Sequence, residues 1–260
     1  MELSLSGKVA LVTGASKGIG RAIALALADE GMCVAVAART ASALQELASE
    51  IDGAGGQALA FVVDLSSISA AQQFVDAALA RFGRIDLLVN SAGATKRGDF
   101  LQLTDQDWHD GYALKLHGAV RLCRAAWPSL MKSHGSIVNI IGVGGRTGSA
   151  EFTLGGSVNA ALSLFTKALA DRGVHDGVRV NAINPGSIAT DRLTRRINKV
   201  AADEHLPQDK AAAELAKRER VARFGIPREV ADAVAFLASD RAAYIQGAIL
   251  DIDGGLTRAL

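Results

Sequence analysis

Short runs of aliphatic and β-branched residues alternate along the chain with longer stretches whose apolar positions recur at helical spacing. The runs Val9–Thr13, Cys33–Ala37, Ala58–Val63, Leu87–Asn90, Ser136–Ile141, Arg179–Asn184 and Ile249–Ile252 predict strands. Between them, 19–30, 41–51, 68–81, 105–131, 154–171 and 227–238 predict helices. The strand runs are continuously apolar rather than alternating, as expected of a sheet buried on both faces. Regular β–α alternation then implies a Rossmann-like, doubly wound parallel α/β sheet. No linker or internal repeat divides the 260 residues, so 1–260 is expected to be a single domain. One stretch, 191–222, breaks the rhythm with dense Lys, Arg, Asp and Glu. It reads either as a solvated helical pair or as a lid over a site at the carboxyl ends of the strands, where open α/β sheets bind ligands.

Composition narrows the classes. With 28 Lys+Arg against 27 Asp+Glu the net charge is +1, which offers no general field for nucleic acid or an anionic membrane. The longest apolar runs, such as Ala22 to Ala28, fall far short of the roughly 20 residues that span a bilayer. Cys33 and Cys123 have no ligand spacing, so no metal is expected, and the chain is long enough for a core without disulfides. A soluble, cytoplasmic protein is the expectation.

The most specific local signal is T-G-A-S-K-G-I-G at 13–20, between the first strand and the first helix. Gly14, Gly18 and Gly20 allow a tight turn and close backbone approach to a pyrophosphate, and the helix N-terminus supplies free N–H groups. At the end of the second strand stands Arg39 where an acidic residue would select a ribose 2′-hydroxyl. Arg39, with Lys17 as a second cation, favours the 2′-phosphate of NADP(H) over NAD(H).

These glycines, N-S-A-G at 90–93, Asp64-Leu65 and N-P-G-S-I-A-T at 184–190 together resemble the short-chain dehydrogenase/reductase family. So do G-I-P-R-E-V-A-D-A-V-A-F-L-A-S-D and the closing I-Q-G-A-I-L-D-I-D-G-G, and the likeness runs from about residue 5 to 257. The resemblance implies a seven-stranded parallel sheet and a homo-oligomer, usually a tetramer or at least a dimer. It also implies a cofactor site built from Gly14, Ser16, Lys17, Gly18, Ile19, Gly20, Arg39, Asp64, Leu65, Asn90, Ala92, Gly93, Pro185, Gly186, Ile188 and Thr190. Asp64 would hold the adenine amino group, Asn90 would brace the strands, and Ile188 and Thr190 would meet the nicotinamide.

The same resemblance implies a catalytic Asn, Ser, Tyr and Lys, and here the sequence departs from it. Aligned on its flanks, the chain has Lys115 at the Asn position, Gly142 at Ser, Gly155 at Tyr and Asn159 at Lys. The only tyrosines are Tyr112 and Tyr244, and neither begins a Tyr-x-x-x-Lys. Ser163 and Lys167 have i, i+4 spacing but on a face turned by roughly 80°, which suits a surface pair. The glycines are expected to open space at the reacting centre. Lys115 is the replacement with chemistry, as a substrate anchor or general acid, and Glu151 is a local acid/base candidate. Lys96, Arg97 and Arg146, on loops resembling the substrate-facing ones, would suit an anionic small-molecule substrate such as a carboxylate or phosphate ester. His117 reads as a packing or interface residue. Two functions follow: an NADP(H)-dependent oxidoreductase of a small carbonyl or alcohol with a non-standard centre, or a catalytically silent NADP(H)-binding sensor or structural subunit.

Overall fold

The computed structural model describes residues 2–258. Seven parallel strands form one sheet: β1 (Val9–Thr13), β2 (Cys33–Ala38), β3 (Gln57–Val62), β4 (Leu87–Asn90), β5 (Ser136–Ile140), β6 (Arg179–Pro185) and β7 (Ile249–Ile252). Their order across the sheet is β3-β2-β1-β4-β5-β6-β7. The helices are α1 (Gly18–Asp29), α2 (Ala41–Gly53), α3 (Ala70–Phe82), α4 (Asp105–Tyr112), α5 (Gly118–Ser133), α6 (Thr153–Asp176), α7 (Asp191–Asp203), α8 (Gln208–Glu219) and α9 (Pro227–Ala238).

The period-2 geometry of each strand sorts its side chains between two cores. Ala10 and Val12 of β1 join Ile23 and Leu27 of α1, Leu47 of α2 and Val234 of α9 on one face. Val9 and Leu11 join Phe74 of α3 and Leu122, Ala126 and Leu130 of α5 on the other. Both sets are apolar, which is why β1 reads as an unbroken run. The strand order reverses between β1 and β4, so the two halves diverge there and leave a crevice at their carboxyl ends. That crevice is the site.

The helix expected over 105–131 runs without a break from Asp105 to Ser133, but it passes through a π segment at Ala113–His117 that divides it into α4 and α5. Thr104 starts α4 with a reciprocal cap: its Oγ1 accepts from the Asp107 N–H, and the Asp107 carboxylate accepts from the Thr104 N–H at 2.9 Å. The π turn inserts extra backbone in mid-course, and such turns re-aim the residues they carry. Lys115 sits in it. The charged stretch 191–222 contains the helical pair α7 and α8, with Leu193, Ala211 and Leu215 buried and Arg196 bonded to Glu219 across the pair at 2.5 Å. No described helix is long and apolar enough to cross a membrane.

Candidate active site

The glycine turn after β1 is built by exclusion. Gly14 has φ +67, and a Cβ there would lie 2.9 Å from the Ala92 backbone, so the loop after β4 closes directly on it. A Cβ on Gly20 would overlap the Gly14 carbonyl. Thr13 fixes the neighbouring loop: its Oγ1 accepts from the N–H groups of Ser91 (2.9 Å) and Ala92 (3.0 Å) and donates to the Val89 carbonyl. Sequence reading passed over Thr13, although it opens the glycine motif.

A cleft of about 860 Å³ runs from this turn along the strand ends. Every residue expected to meet a cofactor lines it except Asn90. Asn90 lies behind the cleft, where its Nδ2 donates to Asn139 Oδ1 at 2.9 Å. Asn139 in turn donates to Thr166 Oγ1, which ties β4, β5 and α6 into one block. Asp64 accepts from the N–H and hydroxyl of Ser66, and these two bonds hold its carboxyl below the ordinary carboxylate range. The residues fit a dinucleotide on an observation of their own: α1 begins at Gly18 with no side-chain cap, so its first N–H groups are left for an anion in the cleft. Lys17 is less free than expected. Its ammonium pairs with Asp191 at 3.0 Å, whereas Arg39 lines the cleft and forms no ion pair with a described residue.

At the far end of the cleft Lys115 reaches in past Gly93. A Cβ on Gly93 would lie 2.9 Å from the Lys115 chain, so only glycine lets the lysine through. The ammonium donates to the Ile141 carbonyl at 2.5 Å and to Asn159 Oδ1 at 2.6 Å. Burial, and then the nearby Arg192 guanidinium, lower its pKa from 10.5 to about 7. Asn159 completes a small frame by donating to the Gly142 carbonyl at 3.2 Å. Behind Gly142, Asn184 accepts from its N–H and donates to Asp251.

Three expectations need correction. Gly155 does not open space: the Phe152 ring occupies the volume that a side chain at 155 would enter, in direct overlap with an ideal Cβ. Glu151 is exposed and does not line the cleft; its carbonyl accepts from the Gly98 N–H. Lys96 and Arg146 are neutralised by Asp107 (2.9 Å) and Asp251 (2.5 Å). Ser163 donates to the Asn159 carbonyl and, with Lys167, borders a separate hollow of about 300 Å³. His117 is exposed, its ring edge-on to Tyr112 with centroids 6.5 Å apart. Among the cations sequence reading missed are Arg192, Arg195 and Arg196 of α7, all lining the cleft. Their only signal was the charge density of 191–222.

Comparison with known proteins agrees with this architecture. The profile of the family described as enoyl-(acyl carrier protein) reductase matches residues 14–257. A 3-oxoacyl-(acyl-carrier-protein) reductase of Synechocystis is 38% identical over 97% of this chain and 98% of its own length. The corresponding reductase of Escherichia coli is 37% identical, over 98% and 99%. Among solved structures, L-sorbose reductase of Gluconobacter frateurii, complexed with NADPH and L-sorbose, superposes with a TM-score of 0.96 at 31% identity, covering both chains completely. An actinorhodin polyketide ketoreductase with NADPH superposes at 0.91 and 31% identity, over 97% of this chain and 98% of its own. With residues 14–257 matched by the family's profile and nearly the whole chain covered by relatives 37–38% identical, the chain belongs to the short-chain dehydrogenase/reductase family of oxidoreductases.

Proposed function

We propose that this protein is an NADP(H)-dependent oxidoreductase acting on a small carbonyl or alcohol, with Lys115 as its proton-exchanging group. The observation that carries the reading is the Lys115 ammonium in the cleft, held by the Ile141 carbonyl and Asn159. The positions where the family places Asn and Lys are occupied by Lys115 and Asn159, so the two groups have exchanged helices while the ammonium stays at the same end of the cleft. Positions 142 and 155, where the family places Ser and Tyr, offer no hydroxyl.

The nicotinamide cofactor, when bound, supplies the hydride. What the chain must add is a proton at the substrate oxygen and stabilisation of the charge that grows there. An ammonium has three donors. Two are spent on Ile141 and Asn159, which orient the group, and the third is left for an oxygen in the cleft that Lys115 lines. A pKa near 7 is close to the value at which a general acid is both protonated and willing to give the proton up.

The test is transfer of label. Full-length protein is incubated with NADPH deuterated at both C4 positions and a small-molecule cell extract, and metabolites gaining deuterium over a heat-killed control are found by mass spectrometry. Labelled product is expected. NADPH binding without any label would favour the silent sensor or structural subunit instead.

Cofactor choice has its own test. Arg39 presents the unpaired guanidinium at the end of β2, and a charge-assisted hydrogen bond contributes roughly 1.5–3 kcal/mol. Arg39→Asp is therefore expected to lower kcat/KM with NADPH about 10- to 100-fold and to spare NADH. Steady-state kinetics with both nucleotides decides it; an equal loss with both would remove Arg39 from the choice.

A further inference from the structure

We propose that the substrate carries an anionic group, a carboxylate or phosphate monoester, that Arg97 and Arg192 clasp while its carbonyl meets Lys115. This deepens the hydride-transfer reading and rests on it.

Arg192 donates to the Gly93 carbonyl at 3.2 Å, and Gly93 is the residue against which the Lys115 chain lies. One guanidinium is thus fixed beside the ammonium. On the other wall Asn159, which holds that ammonium, approaches Gly144, and Gly144 is packed by the Phe152 ring. The Arg97 guanidinium lies over that ring, 4.5 Å from its centre. The Arg97 guanidinium stands outside the residues that line the cleft, yet close enough to Arg192 for their charges to act on each other, so it borders the same region. Stacking uses the face of the group and leaves its edge donors free.

Three of the neighbouring cations are already matched, Lys96 with Asp107, Arg146 with Asp251 and Arg196 with Glu219, while Arg195 adds a further charge beside Arg192. Arg97 and Arg192 form no ion pair with a described residue. Burial and the charges of Arg196 and Arg192 pull the Arg97 pKa below its ordinary value, while Glu151 and Glu219 oppose the shift only in part. Arg192 is pulled down by burial and by Arg195. Like charges gathered in a partly desolvated place repel one another, and an anion entering between them relieves the repulsion. Planar guanidinium forks match the oxygens of a carboxylate or phosphate, which a neutral polyol or ketone cannot exploit to the same degree. The phosphates of a bound dinucleotide would have partners of their own in the uncapped start of α1 and in Arg39.

The same deuterium transfer tests this when labelled products are separated on an anion-exchange resin before mass spectrometry. Retained labelled products are expected, and phosphatase treatment of the retained fraction tells phosphate esters from carboxylates. Labelled products that all pass through as neutral molecules would overturn the anionic site while leaving the hydride reading standing. No label at all would overturn the reading and this inference with it. With the retained substrate in hand, Arg97→Gln and Arg192→Gln are expected to lower its kcat/KM about 10- to 100-fold, with the KM for NADPH unchanged. A rise in the NADPH KM matching that loss would assign the arginines to the cofactor and overturn the proposal.

Discussion

Lys115→Met is expected to cut carbonyl reduction about 10²- to 10⁴-fold, the usual contribution of a positioned general acid. The substitution keeps the length and apolar body of the side chain, so it still fills the passage beside Gly93. What it removes is the charge and all three donors. The frame it leaves behind stays bonded in part, because Asn159 still donates to the Gly142 carbonyl and Asn184 still accepts from the Gly142 N–H. NADPH binding, carried by the glycine turn and the start of α1 some distance along the cleft, should largely survive. Single-turnover reduction by NADPH-loaded protein separates the two effects. Unchanged turnover in Lys115→Met would remove the lysine from the chemistry.

The pH dependence gives the same group a second signature. If the protonated ammonium is the donor, reduction is supported below about pH 7 and declines as pH rises through that value, whereas alcohol oxidation gains. Lys115→Met should flatten both profiles. Stability responds with its own sign. The folded protein releases the Lys115 proton near pH 7, while the unfolded chain keeps it to about 10.5. Between those values the unfolded state binds more protons, so Lys115 makes stability rise with pH across that window. Urea midpoints measured near pH 7 and again near pH 10 should diverge more in the wild type than in Lys115→Met.

The fold was legible because its signals are local and repeated. Seven apolar runs, the inner ones buried on both sides and the edge strands β3 and β7 only in part, mark the strands of a covered parallel sheet, and the glycine turn marks where the cleft begins. Lys115 could be singled out only through the family resemblance, as the residue standing where the family has its Asn. Three things could not be read. That Phe152 would fill the volume beside Gly155 depends on a ring folding back from three positions earlier, across a turn whose geometry no periodicity encodes. Whether Lys96, Arg97 and Arg146 would be free or matched depended on acids far away in sequence, Asp251 lying 105 positions from Arg146. Arg192 was hidden for the opposite reason: in a stretch where charged residues crowd together, sequence alone does not say which one turns toward the cleft.

A tyrosine cannot be accommodated at position 155 by a single substitution. Gly155→Tyr would send a Cβ and a ring into the space of the Phe152 ring, and one of the two must leave. Such overpacking costs about 1–3 kcal/mol, and the displaced Phe152 would take its Arg97 stack with it. The single variant is therefore expected to be less stable than the wild type and no faster. Adding Phe152→Ala returns roughly the volume that the tyrosine needs, so the double variant should recover much of the lost stability. Coupling between contacting residues of this kind runs to about 0.5–3 kcal/mol, well within reach of urea denaturation. Recovery of stability should not bring recovery of rate. Four residues on, Asn159 offers an amide already bonded to Lys115 and Gly142 where a tyrosine would need a cation to lower its pKa. A Gly155→Tyr protein as stable as the wild type and faster in reduction would show that Phe152 yields freely and that the centre needs no lysine of its own. The overlap of the Phe152 ring with a Cβ at 155 argues for the other outcome: position 155 and Phe152 are packed as a unit, so one cannot be enlarged without the other yielding.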